Sequence, residues 1–280
     1  LPGGRSEFES DFHFDLYDTL TTPFCQERNT SIPPKTYKNA GFACLTGGSM
    51  VYYTIIGLCG AGQKRACAGF QRGETCTMMI TCPHCQAEND FKVIDHINID
   101  RNPELRAKVQ DLSCFRIECP NCGETAIAVH PCLYHDMSNQ FMVWLWPEED
   151  NPPRAEFDPL AGYKLRIVDS LNGFREKISI LERGLDDRTI EIMKLLLFSQ
   201  LNRDLDVVEL LFHELDERTG DFRFVAVLSD GAEQYAAMPG AAYQKLHEDV
   251  EAYLYTSGGE FARIDMQWAQ QALELLHELG

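Results

Sequence analysis

Two Cys-Pro-x-Cys units, Cys82-Pro83-His84-Cys85 and Cys119-Pro120-Asn121-Cys122, separated by 33 residues, constrain this 280-residue chain more than any other feature. A zinc ion takes four soft ligands at the corners of a tetrahedron, each sulfur about 2.3 Å away. A gap of two residues lets both thiolates of a pair reach one ion from a single tight turn, with successive backbone N–H groups aimed at the sulfurs. Proline sets φ in that turn. Gly123 follows the second pair and supplies a positive φ without cost. Gln86 stands at the matching place after the first pair, where strain of ~1–2 kcal/mol is expected. Cys82, Cys85, Cys119 and Cys122 are therefore the expected ligands of one structural ion, Zn2+, with iron as the alternative that four thiolates also hold. Four protein ligands leave no open position for a catalytic water.

Cys-Pro-His-Cys is also an active-site pattern of thiol-disulfide oxidoreductases, where a helix N-terminus acidifies the first thiol. A second, near-identical pair and the strand-like alternation after Cys85 count against that reading. The other cysteines (Cys25, Cys44, Cys59, Cys67, Cys76, Cys114 and Cys132) have no regular spacing, unlike a secreted disulfide framework. No basic segment followed by an apolar core marks a secretory signal. Val51 to Gly62, an apolar stretch, is shorter than the about 20 residues a membrane-spanning helix needs. The expectation is a cytoplasmic protein.

Charge narrows the partners. Residues 1–77 hold seven basic and seven acidic side chains, whereas residues 78–280 hold 18 basic against 36 acidic and so carry the whole net charge of −18. Such a surface repels phosphate backbones, and no Lys/Arg run offsets it. Nucleic acid is a disfavoured partner.

Four segments are expected along the chain. Residues 1–77 lack apolar periodicity and the acid excess, and read as disordered or as upstream sequence ahead of a start at Met78 or Met79; Arg72-Gly73-Glu74 fits purine-rich codons of a ribosome-binding site. Residues 78–147 read as a zinc-ribbon-like β domain with an inserted helix. Phe91-Lys92-Val93 opens a strand that Ile97 and Ile99 continue, and Asn102-Pro103-Glu104 starts a helix with Leu105, Val109 and Leu112 on one face. Phe115 and Ile117 alternate into the second pair, Ile127 and Val129 out of it, and Phe141 to Trp146 forms a strand. Residues 148–159, acidic and proline-rich, read as a linker. Residues 160–280 read as a C-terminal α+β region: a strand from Tyr163 to Val168, helices from Ser170 to Gly184 and from Asp187, a hairpin of Val207–Leu215 and Phe222–Leu228, and closing helices from Gly240 to Tyr253 and Met266 to Leu276. The fold class is α+β.

From Ile80 to about Pro147 the sequence resembles the CpXC family, a bacterial and archaeal domain named for its two Cys-Pro-x-Cys motifs. The likeness rests on Thr81-Cys82-Pro83-His84-Cys85, Ile97-Asn98-Ile99-Asp100, Asn102-Pro103-Glu104-Leu105, Phe115-Arg116, Cys119-Pro120-Asn121-Cys122-Gly123, Leu133-Tyr134-His135-Asp136-Met137 and Phe141-Met142-Val143-Trp144-Leu145. Leu165-Arg166-Ile167-Val168, Glu176-Lys177-Ile178 and Leu185-Asp186-Asp187-Arg188 resemble what often follows this domain. The resemblance implies a metal-binding domain and no defined activity.

Other residues carry weaker signals. Tyr134-His135-Asp136 has the residue types to orient a base, but reads better as a turn. His130 reads as an ordinary strand residue. Asp95, Asn98 and Asp100 have oxygen-ligand chemistry yet read as the wet face of an alternating stretch, and Glu148, Glu149 and Asp150 as a solvated run. The favoured function is a structural-zinc module whose acidic C-terminal half docks a protein partner. The alternative is an enzyme with a site between the ribbon and that half.

Overall fold

Residues of alternating character open the described chain: in Thr75-Cys76-Thr77-Met78-Met79-Ile80-Thr81, Met78 and Ile80 are buried and the threonines exposed, as a half-buried strand requires. The structure, a computed structural model, describes residues 75–147, 162–254 and 260–279. Strand β1 (Thr75–Thr81) pairs antiparallel with β2 (Glu88–Ile94), from Thr75↔Ile94 to Thr81↔Glu88. Strand β1 thus begins ahead of the boundary expected at Met78, because Thr75, Cys76 and Thr77 pair with Ile94, Val93 and Lys92. Residues 1–74 lie outside the described residues.

A second, shorter hairpin joins β4 (Arg116–Glu118) to β5 (Thr125–Ile127). Between the hairpins in sequence lie β3 (His96–Asn98), α1 (Leu105–Gln110) and a 3₁₀ turn (Ser113–Phe115). Helix α1 starts later than Asn102-Pro103 implies. The Asn98 Oδ1 atom accepts the N–H groups of Asp100 and Arg101, and the Asn102 carbonyl accepts Leu105 N–H at 3.0 Å, so a turn precedes the helix.

The main sheet is mixed, in the order β3–β6–β7–β8, with β6 (Cys132–Asp136), β7 (Phe141–Leu145) and β8 (Lys164–Val168). β6 and β7 are antiparallel, while β3 with β6 and β7 with β8 are parallel. The stretch 148–159 expected as a linker lies outside the described residues. Just beyond it β8 joins β7, so the sheet runs across the division drawn there. Its core does too: Ile97, Val109, Tyr134 and Val143 pack with Phe174 and Ile178 of α2 (Leu171–Glu182) in one buried cluster.

Helix α2 begins where Ser170 Oγ accepts Gly173 N–H at 3.1 Å, and Gly184 follows its end at φ +69°. Helix α3 (Asp187–Leu201) is capped by Asp186, and its Ile190, Met193 and Leu197 are buried as expected. A three-stranded antiparallel sheet follows, β9 (Val207–Leu215), β10 (Phe222–Leu228) and β11 (Glu233–Met238), with β10 central. Helices α4 (Gly240–Tyr253) and α5 (Met266–Leu279) close the chain and pack on α3. The α+β class is as expected. No helix among the described residues is long and apolar enough to cross a membrane.

Candidate metal centre

Each Cys-Pro-x-Cys unit forms the tip of one hairpin. In the first, Gln86 N–H bonds the Cys82 carbonyl at 2.9 Å and Cys82 N–H bonds the Ala87 carbonyl at 2.9 Å. In the second, Gly123 N–H bonds the Cys119 carbonyl at 2.9 Å and Cys119 N–H bonds the Glu124 carbonyl at 2.8 Å. The two tips are the same turn built twice. Gln86 sits at φ 59° and Gly123 at φ 74°, so the strained position anticipated at Gln86 is present.

The turns bring all four sulfurs together, each within 4.8 Å of the others. Cys82 Sγ lies 3.7 Å from Cys122 Sγ, and Cys85 Sγ lies 3.7 Å from Cys119 Sγ. A tetrahedron with arms of about 2.3 Å has edges of about 3.8 Å, so the spacing fits a single four-thiolate ion. None of the four is in a disulfide, and Cys82 and Cys119 are buried while Cys85 and Cys122 stand nearer solvent. This set can hold a metal ion.

Local electrostatics favour thiolate at one corner. The backbone N–H of Cys85 bonds the Cys82 sulfur and, helped by that of His84 and by neighbouring sulfurs, overcomes burial to bring its thiol down to about 6. At Cys122 the Glu124 N–H acts in the same sense, but burial and the three other sulfurs push the thiol up to about 12. Thiols packed this closely keep most of their protons until a cation among them offsets the thiolate charge, so binding a metal ion releases protons. Asn89 Nδ2 approaches Cys119 Sγ at 3.9 Å from β2.

The remaining sequence candidates do not converge. Tyr134-His135-Asp136 is part of strand β6, not a turn, and alternation sends its side chains to opposite faces. Tyr134 is fully buried and donates its hydroxyl to Glu182 Oε1 at 2.5 Å. Asp136 accepts Asn139 N–H at 2.9 Å, while His135 Nε2 stands 3.5 Å from the Tyr163 hydroxyl. Burial and then the neighbouring His96 lower the His135 imidazole. His130 is no strand residue: it is buried, with Nδ1 2.9 Å from the Ala128 carbonyl and Nε2 2.9 Å from that of Ile94. Asp100 is a turn organiser, accepting Met137 N–H at 2.7 Å and the Ser138 hydroxyl at 2.6 Å.

Sequence reasoning missed a buried ionic network linking β8, α2 and α3. Arg166 pairs with Asp187, Lys177 with Asp187 and Glu191, and Lys194 with Glu191 and Glu176. Three cations thus balance three anions. Lys177 also donates to the Ile264 carbonyl at 2.9 Å, and Glu176 Oε1 accepts Phe212 N–H at 2.5 Å, which ties in β9 and the approach to α5. The readable signal was Asp187, Glu191 and Lys194, spaced at i, i+4 and i+7 beside the apolar stripe of α3. Asp186, His247 and Glu251 also lie within 4.8 Å of one another, but Arg188 already supplies the cation there, its Nη2 2.5 Å from both Asp186 and Glu251.

Residues 80–194 match the model of the CpXC protein family. The match covers both cysteine turns and every residue of the ionic network, extending well past the Pro147 limit of the strongest sequence resemblance. No curated protein and no solved structure matches the chain.

Proposed function

We propose, from the premise that residues 80–194 belong to the CpXC family, that this chain is a structural-metal module which docks a protein partner in the cytoplasm. The reading rests above all on the four-sulfur arrangement, with its two 3.7 Å edges. Zn2+ is the ion of choice for a tetrahedron of four thiolates, and bound there it would supply folding free energy. Its ligands would be Cys82, Cys85, Cys119 and Cys122, two from each hairpin tip. The second hairpin is short, β4 and β5 having three residues each, and isolated two-stranded ribbons are marginal without a cross-link. A filled coordination shell makes the ion an organiser of structure. The net charge of −18 favours a partner bearing basic groups.

Metal analysis of the purified full chain tests this. One zinc per chain is expected, released by a chelator together with loss of amide protection across residues 75–147 and of partner capture. Iron in place of zinc would show as colour and would change the ion without changing the role. A chain that lacks metal yet keeps this region protected sinks the reading.

A further inference from the structure

The C-terminal sheet packs one face on the core, except at Gln234, which stands exposed at the end of the row of Leu210 and Ala226. Leu210, Phe212, Phe222, Phe224, Ala226 and Met238 are buried, with Phe222 stacked on Tyr243 of α4 at 4.6 Å. Antiparallel sheets with one face on a core ordinarily show water a polar second face. Here the second face mixes apolar with charged side chains. Cross-strand partners share a face, and the outward rows are Leu211, Val225 and Tyr235; Glu209, Val227 and Glu233; and Glu214, Arg223 and Ala237. Tyr235 and Val208 are 57% and 58% exposed, among the most exposed large apolar side chains of the described residues. The His213 ring meets Tyr235 edge-on at 5.4 Å.

The sheet also ends openly. β11 pairs with β10 and, among the described residues, with no further strand. Glu233, Gln234, Tyr235 and Ala237 are exposed along it. Edge strands are ordinarily blunted by lysine, proline or an inward charge. Glu-Gln-Tyr-Ala-Ala-Met carries none of these.

Charge decides the occupant. Residues 195–280 hold 16 acidic against five basic side chains. On the outward face, Arg223 is already engaged by Asp216 at 2.6 Å and by Glu214 at 3.8 Å, and Glu209 on β9 accepts Asn172 Nδ2 at 3.0 Å, which leaves Glu233 on the edge strand without a basic partner across the strands. A second copy would bring two surfaces with the same acidic excess together. A basic strand would meet Glu233 and the edge's unpaired backbone groups.

We infer that β11 is a docking edge for an extended segment of a partner protein in which lysine or arginine alternates with apolar residues, added as a fourth strand beside Tyr235 and Glu233. This rests on the reading of the chain as a protein-docking module and names its surface. Backbone hydrogen bonds along the edge give the affinity, Tyr235 takes an apolar side chain, and Glu233 takes a basic one.

The test uses the full metal-loaded chain and an end-blocked peptide of alternating lysine and valine, about seven residues long to match the edge. Saturable binding is expected, with amide shifts confined to β10, β11 and their turn. Tyr235→Ser and Glu233→Lys, both at solvent-facing positions, should each weaken binding about fivefold or more. Methylating alternate peptide nitrogens along one edge, or replacing lysine by glutamate, should abolish it. Equal binding of the methylated peptide, shifts spread over the acidic surface, indifference to both variants, or no binding at about 1 mM would each overturn the proposal. So would a dimer of the chain that Tyr235→Ser dissolves, which would give the edge to a second copy. If the chain holds its metal while β11 ignores the peptide, only the docking edge fails. If the cysteines prove metal-free, the module reading fails whatever β11 binds.

Discussion

Arg166 holds Asp187 in a two-pronged grip, Nε to Oδ2 at 2.7 Å and Nη2 to Oδ1 at 3.0 Å, with the two side chains only 5% and 0% exposed. The pair joins the last strand of the main sheet to the first turn of α3. Lys177 adds a second cation at 3.3 Å. An ion pair this deep gains nothing from solvent, so its partners are interdependent: removing one leaves a buried charge uncompensated.

Asp187→Asn should therefore destabilise the chain by about 3–5 kcal/mol in chemical denaturation. Burial alone would raise the Asp187 carboxyl, but Lys177 and Arg166 more than reverse this and hold it far below the ordinary carboxylate range. The folded state thus binds this proton more weakly than the unfolded chain. The stabilisation is fully present above the unfolded value, about 3.9, and drains as pH falls toward the folded one. Glu176 acts in the opposite sense: burial raises its carboxyl, so its contribution is present at low pH and lost as pH rises. Comparing Asp187→Asn with the parent cancels the Glu176 term. The variant should lose less stability than the parent on acidification; parallel pH curves would contradict the assignment.

The legibility of this fold in its sequence followed the range of the interactions. Local signals carried well: the hairpin strands Val207–Leu215 and Phe222–Leu228 and the helix Gly240–Tyr253 stand at the expected residues, and the helix expected from Ser170 to Gly184 runs from Leu171 to Glu182. The convergence of the cysteines was readable because two equal turns are chemically complete only around a shared ion. Strand β1 was hidden, since seven residues of alternation do not show within a long aperiodic stretch. β11 was hidden because Glu-Gln-Tyr-Ala-Ala-Met has weak strand propensity. The pairing of β8 with β7 is non-local, and no composition shift reports it. The roles of Glu176 and Lys177 were not legible because their partners stand on another helix, and Lys194 reaches Glu176 there as well as Glu191 on its own helix.

The twin cysteine turns make a matched experiment. At Gln86 the turn imposes a left-handed conformation that glycine would adopt without steric cost. Gln86→Gly should stabilise the metal-loaded chain by about 0.5–1 kcal/mol, the strain relieved less the added chain entropy and the lost bond from Gln86 Nε2 to the Pro83 carbonyl. Gly123→Ala should destabilise it by about 1 kcal/mol. A Cβ at Gly123 would meet nothing within 4 Å, so that cost is purely one of backbone conformation. Opposite signs in thermal denaturation are the expected outcome. Equal effects would mean the turns are not equivalent.

Gly240 opens α4 against the β9–β10 turn. Its ideal Cβ would lie 2.5 Å from the Gly220 carbonyl oxygen, so one of the two backbones must shift to admit a side chain. The contact is set by the sheet, because Phe222 pairs with Met238 and so brings the turn and the helix start together. Gly220 itself sits at φ +78°. Gly240→Ala should cost about 1–3 kcal/mol and unfold the C-terminal sheet first, read as early amide exchange in β10 and β11. Unchanged exchange there would show that the turn moves freely away from the helix.

His130 stitches the two hairpins. Its ring nitrogens lie 2.9 Å from the carbonyls of Ile94, at the end of β2, and Ala128, just past β5, and the ring packs on Phe115 with centroids 5.3 Å apart. Since it is only 2% exposed, water cannot replace a lost donor. His130→Phe keeps the apolar volume and removes both ring nitrogens, and should cost about 1–3 kcal/mol. His130→Gln retains an amide donor for one carbonyl and should fall between that variant and the parent. Metal content should be unchanged in both, because the cysteine turns are closed by their own backbone bonds. The loss should appear as a lower denaturation midpoint of the loaded chain. If His130→Phe matches the parent, the ring is packing alone and the carbonyls find their donors elsewhere.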